Sequence, residues 1–146
     1  MRQLESEAVT VWRSMLLTHA DLVDAIGVRL RAEHGLTATE FDVLINIPPH
    51  STIRHRDLVD EIVLSRSALS RLLRRLEKRG LVEQRPDDED QRGICVGLTE
   101  RGRSLRATAA KTNAEVVDDA FAALDSADLA CLSEAVGRIR PAKTGD

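Results

Sequence analysis

Apolar residues recur at spacings of three and four through the first part of the chain: Trp12, Met15, Leu16, Leu22, Val23, Ile26 and Leu30, with His19 in the same series. No proline interrupts Leu4 to about Ala32, so the pattern predicts one long amphipathic helix. Gly27 within it costs roughly 1 kcal/mol against alanine and marks either close packing or a bend. Gly35 reads as the C-cap, and Thr37 followed by Glu40 as the capping box of a second helix that runs to about Ile47, where Pro48-Pro49 stops it. A short helix from about Arg54 to Ile62 follows, and Ser65 caps another that reaches Arg79 and ends at Gly80.

After Gly80 the period changes. Leu81 to Arg85 and Gly93 to Leu98 read as two short strands, and the polar stretch Pro86 to Arg92 between them makes the pair a hairpin with a solvated tip. Thr99 caps a long helix through about Leu124, and Asp125 or Ser126 caps a last one carrying Leu129, Leu132, Val136 and Ile139. The chain of 146 residues suits one domain, mainly α with a small β-hairpin.

The apolar runs fall short of a membrane span, and Met1 to Glu7 has no apolar core of a signal peptide, so no membrane partner is expected and the expected compartment is the cytoplasm. Cys95 and Cys131 form no CxxC, and His19, His34, His50 and His55 form no i, i+4 pair, so neither a disulfide framework nor a metal site is indicated, and no cofactor is expected. Aromatic residues are 2% of the chain, too few for an RNA module that stacks bases. A Gly-rich phosphate loop, HExxH and GxSxG are all missing, which speaks against an enzyme.

Charge is segregated. Leu64 to Arg85 holds seven basic and two acidic residues, so this window is +5 in a chain whose net charge is −3. Such a patch suits a polyanion, and the acidic remainder limits indiscriminate adhesion. Within the window Leu69, Leu72, Leu73 and Leu76 repeat as i, i+3, i+4 and i+7, which turns Ser67, Arg71, Arg74 and Lys78 outward, flanked by Ser70 and Arg75. Arginine can bridge guanine O6 and N7, and serine can serve base edges or phosphates. The helix N-terminus at Ser65 and Arg66 also favours anions.

A short helix, a tight turn at Val63-Leu64, a second helix and a hairpin form the order of a winged helix-turn-helix. In the hairpin tip Arg92 follows Asp87, Asp88, Glu89 and Asp90, which would repel phosphate if the whole tip faced DNA. Arg92 alone is therefore expected to reach a narrow minor groove, with Asp90 orienting its guanidinium by a salt bridge. The competing reading is an architectural module without base readout or a winged helix that only grips proteins, and the latter would want an apolar or mixed outer face in place of Ser67, Ser70, Arg71 and Arg74.

The stretch Arg56 to Gly102 resembles the MarR (multiple antibiotic resistance) family of regulators. The residues that carry the resemblance are Arg56-Asp57-Leu58, Ser65 to Leu72, Leu76-Glu77-Lys78-Arg79-Gly80-Leu81-Val82, Asp90-Gln91-Arg92 and Leu98-Thr99-Glu100-Arg101-Gly102. The resemblance implies a homodimer that binds pseudo-palindromic double-stranded DNA, usually as a repressor. Residues 1–35 and 100–146 would dimerise, and residues 36–99 would form the DNA-binding lobe, with Ser65, Arg66, Ser67, Ser70, Arg71, Arg74, Arg75, Gln91 and Arg92 on the DNA. Long amphipathic helices at both termini point to dimerisation independently. Many members of the family release DNA when a small acid enters a cleft between the dimer helices and the lobe. Trp12, Met15, His19 and Phe41 could wall such a cleft for a small-molecule effector, although a stripe at helical spacing is more often plain packing. Redox-sensing relatives carry a cysteine near the start of the first helix, and this chain has none there.

Overall fold

The computed structural model describes residues 6–140. It consists of α1 (Glu7–His34), α2 (Ala38–Asn46), β1 (Thr52–Arg54), α3 (His55–Glu61), α4 (Arg66–Lys78), β2 (Val82–Pro86), β3 (Ile94–Leu98), α5 (Glu100–Phe121) and α6 (Ser126–Arg138). The expected start of the first helix at Leu4 lies outside the described residues; α1 is capped by Ser6, whose Oγ accepts the Val9 N–H at 3.3 Å. At its other end Gly35 takes φ 64° and returns its N–H to Arg31, a left-handed C-cap that releases the chain toward α2. The Thr37–Glu40 capping box forms in both directions at 3.0 Å.

The strand β1 is a correction to the sequence reading, which placed the start of a helix at Arg54 and a two-stranded hairpin alone. Three residues are too few for an alternating pattern to show in the sequence. What makes them a strand is the free edge of β3: Ile53 lies opposite Val96 and Arg54 opposite Cys95, giving an antiparallel sheet in the order β1-β3-β2. A second correction concerns Pro86, expected in the hairpin tip. It ends β2 opposite Ile94, which costs no ladder bond because β2 is an edge strand. Helix α5 also stops at Phe121 rather than near Leu124, with Ala122 as its cap.

One core joins the helices to the sheet. Leu30 of α1, Leu44 of α2, Leu58 of α3, Leu73 of α4 and Val96 of β3 are fully buried in it. Gly27 is buried where α1 crosses the start of α2, with the Ala38 Cβ as its nearest neighbour outside α1, so packing is its role. Two arginines brace the lobe: Arg106 of α5 donates to the carbonyls of Leu44 and Ile45 at the end of α2, at 3.2 and 3.0 Å. Arg79 donates to Glu40 at 3.2 Å and to the Gly35 carbonyl at 2.9 Å, tying the end of α4 to the α1–α2 junction.

The two ends of the chain behave differently from the centre. Among the 28 residues of α1 only Gly27 and Leu30 are buried, and α6 buries none of its residues. Trp12, Leu16, Leu129, Leu132, Val136 and Ile139 are all more than a third exposed. Among the described residues no helix is long and apolar enough to cross a membrane.

Candidate nucleic-acid interface

Leucines decide which way α4 faces. Leu69, Leu72, Leu73 and Leu76 are buried, so Ser67, Arg71, Arg74, Arg75 and Lys78 stand exposed. Ser65 begins the helix as its N-cap, its Oγ accepting the Ala68 N–H at 3.2 Å and lying 3.3 Å from the Ser67 hydroxyl. A cap of this type is worth about 1 kcal/mol. Two polar residues of the sequence window, one of them basic, are not available to a ligand in the same way as the others. Arg79 is occupied by Glu40 and Gly35, and Ser70 is half-buried with its Oγ 3.2 Å from His55 Nε2. The surroundings push the His55 pKa down, chiefly through burial and secondarily through the charge of Arg66, so its ring is neutral near pH 7.

The hairpin between β2 and β3 closes through main-chain bonds: Asp87 donates its N–H to the Gly93 carbonyl at 2.9 Å, and Gly93 donates to the Asp90 carbonyl at 2.8 Å. Gln91 and Arg92 are exposed at its tip. The expected Asp90 to Arg92 side-chain salt bridge is replaced by a different bond. Asp90 Oδ1 accepts the main-chain N–H of Arg92 at 3.1 Å, so the carboxylate sets the backbone of Arg92 and leaves its guanidinium outside the pair. This follows from spacing, since an aspartate two residues back most easily closes a turn on the chain itself.

The acidic cluster has a partner that the sequence did not single out. Arg54 places Nε 2.7 Å from Asp87 Oδ2 and Nη2 2.5 Å from Glu89 Oε2. The two carboxylates hold the Arg54 guanidinium even more firmly protonated than usual, Asp87 by its charge foremost and Glu89 by its hydrogen bond. A lone arginine ahead of a helix carries no sequence signal of such a contact, because it spans 33 residues to Asp87 and depends on β1 pairing with β3. Between the starts of α3 and α4 and the hairpin lies a cleft of about 370 Å³, lined by Arg54, Arg56, Arg66 and Arg92 together with Asp87 and Asp90. Of α4, Arg66 and Ser70 line this cleft, so the start of that helix and the hairpin tip share one site of mixed charge.

The proposed effector wall is not assembled in the single chain. Phe41 is buried in the core of the lobe, whereas Trp12 and His19 are exposed and Met15 is half-exposed on α1. Trp12 precedes Gly27, where α1 meets α2, by fifteen residues, which is about 22 Å of helix. A larger cavity of about 730 Å³ between the ends of α1 and α4 and the start of α5 is lined by His34, Arg79, Arg101, Ser104 and Leu105 among others, and by none of those four.

Comparison with known proteins places these features. The sequence profile of the MarR family matches residues 34–93. The transcriptional regulator SarZ of Staphylococcus haemolyticus is 31% identical over 96 residues, 66% of this chain and 65% of that protein, so the match spans less than two thirds of the relative's length. The crystal structure of AbsC, a MarR family transcriptional regulator from Streptomyces coelicolor, superimposes with a TM-score of 0.82 at 28% identity, covering 93% of each chain. A second MarR family regulator from Streptomyces coelicolor, solved in complex with DNA, gives a TM-score of 0.81 at 26% identity over 100% of this chain and 96% of that one.

Proposed function

Since this chain belongs to the MarR family of winged helix-turn-helix regulators, we propose that it binds double-stranded DNA in a sequence-specific manner and represses transcription from the sites it occupies. The observation that carries this reading is the division of α4: four leucines lock one face in the core while Ser67, Arg71, Arg74 and Arg75 stand free on the other, beside a hairpin bearing Gln91 and Arg92. Ser65 and Arg66 open the helix toward the same surface. In this reading α4 lies in the major groove and Arg92 enters the adjacent minor groove. The likeness over nearly full length to a relative solved in complex with DNA supports DNA binding.

The active form in this proposal is a homodimer. An apolar stripe along α6 with no buried residue, and another along the outer half of α1, would stay in water in a single copy. Residues 1–35 and 100–146 form the dimerising part and residues 36–99 the DNA-binding lobe, with 1–5 and 141–146 outside the described residues. Two lobes then meet successive major grooves about 34–36 Å apart, which demands a pseudo-palindromic site. Leu132→Glu should therefore convert the dimer to monomer in sedimentation equilibrium and weaken DNA binding with it. A monomeric wild-type chain would sink the dimer reading.

Selection of duplexes from a random library with the purified full chain, followed by titration at two salt concentrations, tests the function. Recovery of a two-fold repeat bound far more tightly than random DNA is expected. Recovery of no preferred sequence, with affinity collapsing uniformly in salt, would leave only a basic patch.

A further inference from the structure

We propose that Arg54, at the junction of β1 and α3, is a positioning residue for the hairpin: by pairing with Asp87 and Glu89 it holds the acidic tip against the lobe and sets where Arg92 stands. The inference rests on the DNA-binding reading above and concerns a residue that would act through the wing. Three observations carry it.

First, Asp87 is only 8% exposed, and among the described residues its Oδ2 accepts no well-formed hydrogen bond. Its Oδ1 accepts the Glu89 N–H at 3.1 Å. The guanidinium of Arg54, 2.7 Å from Oδ2 but out of line for a hydrogen bond, is therefore what offsets the charge of a buried carboxylate. Removing one partner of such a pair leaves an uncompensated charge that must regain water, here by opening the loop.

Second, the loop that would open is the one that fixes Arg92. Asp87 and Asp90 make its closing bonds to Gly93 and to the Arg92 N–H, and the turn is tight, since a Cβ added at Gly93 would lie 3.2 Å from both the Asp87 Cβ and the Asp90 carbonyl oxygen. Third, Arg54 is itself well anchored. Its backbone lies in β1 opposite Cys95 of β3, so its fork reaches the tip from the rigid sheet. The same contact puts a positive charge between two of the four consecutive carboxylates Asp87 to Asp90, which would otherwise face phosphates unmodified.

The test uses the full chain and two probes: a duplex selected by the wild-type protein from a random library, and the same duplex with A·T pairs beneath the wings replaced by G·C. Wild-type protein should prefer the first, and Arg92→Ala should lose that preference. Arg54→Ala is expected to reduce the A·T preference about fivefold or more while leaving the preference for base pairs under α4 unchanged. Combined with Arg92→Ala it should cost the A·T preference nothing further, because the two act as a unit. A purely structural role would instead lower the melting temperature without moving one preference selectively.

Retention of full A·T preference by Arg54→Ala, when Arg92→Ala has lost it, overturns the proposal and leaves the DNA reading intact. Equal weakening on every duplex, random DNA included, also overturns it and makes Arg54 a phosphate contact. Binding of no duplex by the wild type would remove the DNA reading, and this inference with it. If Arg54→Ala does not fold, Glu89→Gln alters an exposed carboxylate of the same pair; a smaller shift in the same preference supports the proposal, and an unchanged preference overturns it.

Discussion

Replacing Arg71 by Ala is expected to weaken binding to a selected duplex by about 1–3 kcal/mol for each half-site in which a base contact is lost. A dimer carries the residue twice, so the effect on the whole complex is about 2–6 kcal/mol, a loss of roughly thirtyfold to more than ten-thousandfold. The size follows from the geometry of guanidinium recognition. Two parallel donors match guanine O6 and N7, and an alanine leaves both acceptors without protein partners. Arg74, on the same exposed surface, should behave alike if it too reads a base. Titration of each variant on the selected duplex and on random DNA decides the role: loss confined to the selected duplex identifies a base contact, whereas equal loss on both, with a salt slope reduced by about one, identifies a phosphate contact. No loss on either would remove α4 as the reading helix.

Gly102→Ala is expected to be the most damaging single methyl in the protein. Gly102 sits in the first turn of α5 and is buried, and a Cβ there would stand 1.9 Å from the Leu81 carbonyl oxygen and 2.9 Å from its carbon. The obstacle is backbone, which cannot rotate aside as a side chain can. That same Leu81 carbonyl accepts the Thr99 N–H at 3.1 Å, and the Thr99 hydroxyl donates to the Gly80 carbonyl at 2.6 Å while capping Gly102. Moving α5 away would thus break the junction that joins the end of α4, the start of the hairpin and the long terminal helix. A cost of about 3 kcal/mol or more is expected, at the upper end for overpacking. In a thermal melt this is a fall of roughly 10 °C. An unchanged melting temperature would mean that the approach of α5 to Leu81 is looser than the structure gives. Because α5 begins in the lobe and runs into the outer helices, the variant should lose DNA affinity as well.

Local periodicity and capping chemistry carried most of the element pattern. Gly35, Thr37 with Glu40, Ser65 and Thr99 each mark a boundary through a bond to a near neighbour, and each bond is present. The four leucines of α4 also determined by themselves which face of that helix is free, since a 3.6-residue period leaves no choice once one side is buried. What the chain did not disclose in advance depends on partners far away in sequence. Strand β1 exists because β3 offers it an edge, Arg54 matters because β1 brings it beside Asp87, and Asp90 bonds a main-chain N–H because the turn closes around it. The four residues considered for an effector wall shared a sequence pattern, yet Phe41 went to the core and Trp12 to the exposed end of α1.

Sequence alone therefore determined the helices, the basic outward face and the likeness to a family of regulators, all of which rest on spacing within a few turns. Tertiary structure alone decided that the acidic tip is held by Arg54, that Gly102 must be glycine and that α6 keeps its apolar stripe uncovered within one copy. The physical reason is range: capping and amphipathicity act over three or four residues, whereas ion pairing and backbone contact act between whatever segments the fold brings within a few ångströms.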